Sequence, residues 1–246
     1  MKTILIDLHT HLLPYMDDGA KDLKEALKLT EQLWEQGVGG AACTSHFDPA
    51  RERIEDFVKR RDNAIKLMYE SKIELYPASE TYLHEFLLYY DSISPLCIAN
   101  SNYLLIELPF TKLWGSELYA LIKKLMIRYD IIPIIAHAER YPASNIGNIR
   151  KLKNLGCVIQ LNSSSLLKKK YKRKMVKYMK KGLADLIGSD CHDLIKRPPR
   201  LSIAYDLLES IVGGQYCQQL MLNAQSTIQG NDIRLNTNNT TRRRRI

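Results

Sequence analysis

Seven short apolar segments punctuate the chain, at residues 3–8, 39–44, 73–78, 103–108, 132–136, 157–161 and 184–188. Most are rich in Ile, Leu or Val and lack period-two alternation, the pattern of strands covered on both faces. Between them, apolar positions recur at helical spacing. Over 21–36, Leu23, Ala26, Leu27, Thr30, Leu33 and Trp34 share one face, and Gly37 supplies a C-terminal stop. Over 51–70, Ile54, Phe57, Val58, Ile65 and Met68 repeat in the same way. Further helices fit 116–130, 147–155, 171–181, 202–212 and 215–226. Strand and helix in alternation predict right-handed crossovers and a parallel sheet. Seven such units point to a closed or nearly closed α/β barrel rather than an open sheet. No internal repeat and no linker divides it.

Size and composition fit that picture. At 246 residues the chain suits one domain of α/β-barrel size, and 45% hydrophobic residues suffice for a full core. No apolar run approaches the roughly 20 residues needed to span a bilayer. The first strand begins at Thr3, with no charged n-region or cleavage site before it. The five cysteines are dispersed and form no CxxC pair. A cytoplasmic protein is expected.

The net charge of +9 is uneven. Residues 168–181 hold nine Lys or Arg and no acid, and Arg242 to Arg245 add four more. Removing these thirteen cations leaves −4, so the body is mildly acidic with two basic appendages. A basic patch can serve nucleic acid, anionic lipid or an acidic protein. Short charge runs are more often a solvated helix face and a frayed tail, the reading adopted here. The barrel is expected over 1–230 and a disordered basic tail over 231–246.

Five of the six histidines stand near carboxylates at the ends of the apolar segments. The pieces are Asp7-Leu8-His9-Thr10-His11, Thr44-Ser45-His46, Glu80, Glu107, His137-Ala138-Glu139-Arg140 and Asp190-Cys191-His192. Each lies at or just beyond a strand's C-terminal end, where barrel enzymes place their chemistry. His9 and His11 are two apart on a strand and face the same way; Asp190 and His192 repeat that spacing. A lone strand histidine is usually structural, but two such pairs at opposite ends of the chain favour a metal site. Asp18, Glu80, Glu107 and Asp190 bring four negative charges, which two divalent ions would neutralise. Three ions would leave a surplus that a phosphate dianion cancels, so such a cluster suits phosphate. Imidazole and carboxylate without thiolate suit Mn, Fe or Zn. Metal-bound water, its pKa lowered toward about 7, would supply the nucleophile for ester hydrolysis. Arg140 and Arg197 lie near the ligands in sequence and suit a phosphate clamp. For Arg140 an ion pair with Glu139 or another acid competes evenly. Arg197 precedes Pro198-Pro199, which stiffens its backbone.

In order, these motifs resemble the polymerase and histidinol phosphatase (PHP) superfamily. His9-Thr10-His11-Leu12-Leu13-Pro14 followed by Asp17-Asp18-Gly19 looks like the opening motif of its bacterial tyrosine-phosphatase branch, and the later motifs, with Asn162-Ser163-Ser164, follow in place. The resemblance covers about residues 3–225. It implies a single-domain, distorted (β/α)7 TIM-like barrel with a two- or three-ion centre that prefers Mn2+, with Fe, Zn, Co or Mg as substitutes. It also implies a phosphotyrosine protein substrate, typically a membrane-linked bacterial tyrosine kinase that controls capsule or exopolysaccharide export. Carried over by motif position, the metal ligands are His9, His11, Asp18, His46, Glu80, Glu107, His137, Asp190 and His192. Arg140 and Arg197 contact phosphate, and Asp18 is counted with them as catalytic. The chain departs from the family at Ala138, often Pro, at Cys191, often Ala, and over Phe110 to Gly115, where substrate entry is shaped.

Cys191 to Arg197 spells C-x5-R, the signature of cysteine-based phosphatases. That chemistry needs a thiolate and a loop of free N–H donors leading into a helix. Here no glycine intervenes and Pro198 and Pro199 remove donors, so a cysteine nucleophile is not expected. Alternatives from the same superfamily are a small-molecule phosphatase of histidinol-phosphate type and a phosphodiesterase or nuclease. A non-catalytic metal-bound scaffold is the reading from another class. Nucleic acid is disfavoured because the acidic body shows no aromatic–basic strip. His84 is read as a surface residue. Tyr and Phe residues are read as core or rim, one of them available to stack on a substrate ring.

Overall fold

The computed structural model describes residues 4–233. Its helices are α1 (Leu23–Glu35), α2 (Ile54–Leu67), α3 (Ser116–Tyr129), α4 (Ile146–Leu155), α5 (Lys169–Lys180), α6 (Leu201–Val212) and α7 (Gly214–Ile228). The strands are β1 (Leu5–Thr10), β2 (Val38–Cys43), β3 (His46–Phe47), β4 (Glu74–Pro77), β5 (Glu80–Tyr82), β6 (Tyr103–Glu107), β7 (Ile132–Ile135), β8 (Val158–Asn162) and β9 (Leu186–Gly188). Every expected strand and helix is present, with ends that differ by up to three residues. Residues 1–3 and 234–246 lie outside the described residues, and the described start of the expected disordered tail is instead packed, with Tyr103 Oη donating to Asn231 O and accepting from the N–H of the buried Ile233.

Local signals set the boundaries. Asp22 caps α1 by accepting from the Glu25 N–H, and Asn145 caps α4 by accepting from Asn148. Gly156 ends α4 in the left-handed region at φ 101°, as a C-terminal glycine should.

The structure differs from the sequence reading at two strands. The segments expected at 39–44 and 73–78 each continue beyond a break, β2 into β3 and β4 into β5. Below the breaks, β1, β2 and β4 form a three-stranded parallel sheet; above them, β3 and β5 join β6, β7, β8 and β9. At the breaks, side chains add to the backbone's own hydrogen bonds. Thr44 Oγ donates to the Thr10 carbonyl and accepts from the Thr10 N–H. At the second break, Ser79 Oγ donates to the Leu96 carbonyl, and the buried Arg61 guanidinium donates to the Pro95 and Ala78 carbonyls. Polar groups this deep need such partners. After the breaks His46 pairs with Glu80 in register, so both chemical residues open new strands at the barrel mouth.

The ring closes between β9 and β1. Thr10 and Cys191 form a parallel bridge, the Asp190 N–H donates to His9 O, and the His11 N–H donates to Cys191 O. The result is a distorted (β/α)7 barrel with all strands parallel. β1 is itself irregular: its pairing with β2 jumps from Asp7–Ala41 to Thr10–Cys43, three residues against two. This bulge lets neighbouring residues do different work, with Leu8 in an apolar cluster and His9 beside Gln160. That cluster, with Ile6, Leu105, Ile134, Val158 and Leu186, fills the barrel beneath the polar mouth. A larger cluster joins the outer faces of the strands to the helices.

Gly188 shows how tightly the mouth is built. A Cβ there would lie 2.7 Å from His9 Cβ and 2.9 Å from Gln160 Nε2, closer than real contacts allow. Gly188→Ala is therefore expected to displace His9 and to lower unfolding stability by about 1–3 kcal/mol in a denaturant titration.

Candidate metal centre

β1 delivers His9, His11 stands one residue past its end, and the loop after it delivers Asp17 and Asp18. His46 opens β3, Glu80 opens β5, Glu107 ends β6, and the turn after β7 carries His137 and Arg140. Asp190, His192 and Arg197 follow β9. All nine candidate ligands and both arginines meet at the C-terminal mouth of the barrel.

Glu80 is the hub. Its Oε2 lies 3.3 Å from His9 Nε2, 3.2 Å from His11 Nε2 and 3.1 Å from His46 Nδ1, and its Oε1 lies 2.9 Å from His137 Nε2. Glu107 Oε1 is 3.3 Å from the same His137 nitrogen. Asp190 Oδ1 is 3.5 Å from His9 Nε2 and 3.6 Å from His11 Nε2. Asp18 Oδ1 is 3.3 Å from His192 Nε2 and 3.5 Å from His46 Nε2. Donor atoms gather in three overlapping groups: His11, Asp18, His46 and His192; His9, His11 and Asp190; and His46, Glu80 and Glu107.

The supporting hydrogen bonds decide which ring nitrogens face the centre. Gln160 Oε1 accepts from the His137 backbone N–H at 2.6 Å and faces His9 Nδ1 at 3.3 Å. Its Nε2 donates to Leu161 O and Asn162 Oδ1, which fixes the amide's orientation. Asp17 Oδ2 is 2.8 Å from His11 Nδ1 and also accepts from the His46 N–H. His192 Nδ1 faces the Asp190 carbonyl at 3.1 Å. In each case Nδ1 faces a hydrogen-bond partner and Nε2 is turned inward. The Nε2 atoms of His9 and His11 consequently approach each other at 3.2 Å. Both Glu80 oxygens and His192 Nε2 are buried without a partner in hydrogen-bond geometry. Lone pairs aimed at shared points rather than at N–H groups are what a cluster of cations requires. The residues present therefore fit a small group of divalent ions. Backbone conformation agrees: His137 and Asp190 adopt positive φ, 32° and 55°, rare for non-glycine residues and held here by the surrounding network.

Without a cation, protons must do the balancing. Burial would pull the His11 imidazole down, but Asp17 and then Glu80 outweigh it and raise it to about 10. Burial likewise opposes His137, yet Glu107 and Glu80 push it up to about 9. Burial would raise the Glu80 and Asp190 carboxyls; the surrounding imidazoles hold both well below the usual range. His192, buried and beside His11, is drawn down to about 3.

The arginines are engaged already. Arg140 Nη1 is 2.8 Å from Asp190 Oδ2, and Arg197 Nη2 is 2.6 Å from Asp190 Oδ1. The competing ion pair for Arg140 is thus made to Asp190 and not to Glu139, which is fully buried and accepts from Ser165 Oγ and the Asn162 N–H. Arg197 is presented by a turn in which Asp193 Oδ1 accepts from three successive N–H groups. Phe110 is 46% exposed beside them. Its ring centre lies 5.8 Å from that of His137 and 5.6 Å from the Arg140 guanidinium carbon.

Two residues weighed in the sequence fall elsewhere. His84 is half-buried and accepts from the Phe86 N–H at the start of a 3-10 turn, away from the centre. Cys191 is fully buried, and burial followed by Asp7 drives its thiol far above the thiolate-forming range. Its backbone closes the barrel, and the C-x5-R spelling carries no nucleophile. Asp17 and Gln160 were not singled out as site residues. Gln160 had a signal, a lone amide inside the apolar run Cys157–Leu161.

A parallel barrel whose mouth carries a multi-imidazole, multi-carboxylate centre flanked by two arginines defines a metal-centred hydrolase architecture. Residues 5–229 match the family described as capsular polysaccharide synthesis, CpsB/CapC, and the chain belongs to that family. It is 31% identical over 245 residues to the tyrosine-protein phosphatase CpsB of Streptococcus agalactiae, covering 93% of this chain and 100% of that one. It is 31% identical over 234 residues to CpsB of Streptococcus pneumoniae, covering 89% and 95%. Among solved structures it shares the fold of one described as YwqE from Bacillus subtilis and CpsB from S. pneumoniae, unique metal-dependent tyrosine phosphatases. The TM-score is 0.83 at 24% identity, covering 97% of this chain and all of that one.

Two outcomes follow from the geometry. Loading divalent cation onto stripped protein at neutral pH should release about two protons, those of His11 and His137, as calorimetry in buffers of different ionisation enthalpy would register. Both groups sit above their ordinary values, so apparent affinity should rise with pH and level off once the pH passes about 10. Gln160→Ala should weaken cation binding by about 10–100-fold, read as metal content after dialysis, because His9 and the His137 N–H lose their shared acceptor.

Proposed function

We propose that this protein is a metal-dependent phosphomonoesterase that hydrolyses phosphotyrosine on proteins. The observation that carries it is the convergence of Glu80, its four surrounding imidazoles and the paired arginines at one mouth, in a chain of the CpsB/CapC family. The similarity to the tyrosine-protein phosphatases CpsB of two streptococci supports the same reading. His9, His11, Asp18, His46, Glu80, Glu107, His137, Asp190 and His192 would hold two or three divalent cations. Mn2+ is the proposed occupant, since the donors are imidazole and carboxylate without thiolate. When bound, the cations supply Lewis acidity, charge for the phosphoryl oxygens and a source of hydroxide at neutral pH.

The chain's own residues supply the rest. Arg140 and Arg197 each donate toward the site and can exchange Asp190 for phosphoryl oxygens once cations engage that carboxylate. Asp18, with a side chain 65% exposed, stands at the solvent edge of the site, 3.3 Å from His192 Nε2. Phe110 offers an aromatic face beside Arg140, which suits the aryl ring of phosphotyrosine better than an alkyl ester.

The substrate proposed is a bacterial tyrosine kinase governing capsule or exopolysaccharide synthesis. The family's description supports the pathway. A cytoplasmic site of action is inferred from five unpaired cysteines and from the lack, among the described residues, of any helix long and apolar enough to cross a membrane. Residues 1–230 are proposed to act as one phosphatase domain.

The test is a parallel assay with Mn2+ on phosphotyrosine peptide, phosphoserine peptide, histidinol phosphate and single-stranded DNA. Phosphotyrosine should be the best substrate, and Phe110→Ala should lower its kcat/KM by about 5–20-fold while changing phosphoserine turnover little. If phosphotyrosine is the poorest of the four, the reading is wrong.

A further inference from the structure

The cations of 168–181 play no part in the metal centre. Eight of the nine are exposed, and only Lys174 is half-buried. Among the described residues, none of the nine has a carboxylate within ion-pair distance, although other surface cations do: Lys72 with Glu31 at 2.6 Å and Arg60 with Glu52 at 2.7 Å. The helix bearing them, α5, has no acid in its first turn and no side-chain cap at Lys168. Positive charge at a helix N-terminus opposes the peptide dipoles. The unbalanced face is thus kept against the local stability of its own helix.

Its position gives it a use. α5 follows β8 through a single 3-10 turn, Ser163–Leu167. β8 ends at Asn162, whose side-chain amide donates to Asp190. Lys174 Nζ donates to Tyr141 O at 2.8 Å, one residue beyond Arg140. The first turns of α5 therefore flank the loop that carries His137 and Arg140.

We propose that the exposed face of Lys169, Lys170, Lys172, Arg173 and Lys177 docks an acidic segment of the protein substrate that adjoins the phosphotyrosine held at the barrel mouth. The proposal rests on the phosphatase reading above. At 1.5 Å per residue, Lys169 to Lys177 spans about 12 Å, the reach of about four extended residues. The composition of the face favours a peptide over other polyanions. Met175, Tyr178 and Met179 are buried, and Tyr171 and Val176 are half-buried. A helix that lies on a membrane turns its apolar side outward, and single-stranded nucleic acid is held by exposed aromatics beside the cations. Here Met175, Tyr178 and Met179 pack inward, the helix's one partly exposed aromatic, Tyr171, is covered by Lys170 Nζ at 4.9 Å, and the exposed positions are cationic.

The experiment compares kcat/KM on matched phosphotyrosine peptides, flanked by Asp and Glu or by Gln and Ser, on either side of the tyrosine. It uses the Mn2+-loaded full chain and the combined variant Lys169→Gln, Lys170→Gln, Lys172→Gln and Arg173→Gln. Wild type should prefer an acidic flank by about tenfold at low ionic strength, and the preference should shrink to about twofold near 0.5 M salt. The variant should lose the preference, hydrolyse p-nitrophenyl phosphate at a rate within about twofold of wild type, and show no lower Tm, since its helix terminus is relieved of opposing charge. Equal rates for both flanks in wild type, or an unchanged preference in the variant, would overturn the proposal. So would binding to phosphatidylserine vesicles that the variant loses, if no peptide preference accompanies it. If wild type hydrolyses none of the phosphotyrosine peptides but does hydrolyse p-nitrophenyl phosphate, the phosphotyrosine-protein reading itself fails and the docking proposal falls with it.

Discussion

A single buried carboxylate organises this molecule. Glu80 lies within 3.3 Å of four imidazoles, from β1, β3 and the turn after β7, and none of these approaches has hydrogen-bond geometry. A buried charge needs compensation, from protons on its neighbours or from cations among them. In the cation-free state His11 and His137 hold those protons, with His11 raised to about 10 and His137 to about 9. The rest of the barrel mouth exists to keep that arrangement from collapsing into ordinary ion pairs.

The restraint comes from residues one layer out. Asp17 fixes the His11 ring and holds the His46 backbone; Gln160 ties His9 to His137; Asn162 and both arginines hold Asp190. Backbone devices serve the same end. The bulge in β1, the breaks before His46 and Glu80, and positive φ at His137 and Asp190 each aim a side chain that a regular strand would send elsewhere. A ligand set this crowded is stable only where the surroundings over-determine it.

Charge is segregated along the same axis. The mouth concentrates carboxylates and imidazoles, and the adjoining face of α5 presents unpaired cations. The two fields act on a phosphorylated protein in different ways. In the function proposed above, the centre and its arginines take the phosphoryl group, and in the docking proposal the helix face selects the chain around it. Phe110 stands at the rim against Arg140. Specificity in such an arrangement lies in the rim, while the reaction lies in the barrel.

Element order, strand polarity and the nine candidate ligands could be read from the chain, because buried parallel strands are continuous apolar runs and chemistry at their C-terminal ends interrupts them with polar residues. The i,i+2 spacing of His9 and His11 fixed their common direction for the same reason. What no periodicity encodes is pairing between distant residues. Where two strands split, Thr44 meets Thr10, and Arg61 and Ser79 reach the carbonyls of 95 and 96. Gln160 and Asp17 gain their roles only when the closed ring brings Gln160 of β8 to His9 of β1, with β9 between the two strands, and folds the loop after β1 back over it. Which nitrogen of each ring faces the centre, and which acid Arg140 chooses, are likewise decided by contacts far apart in the chain. The sequence by itself determined what chemistry is present and on which strand ends; the tertiary structure alone decided which lone pairs face one another, because hydrogen-bond partners are set by distance in space and not along the chain.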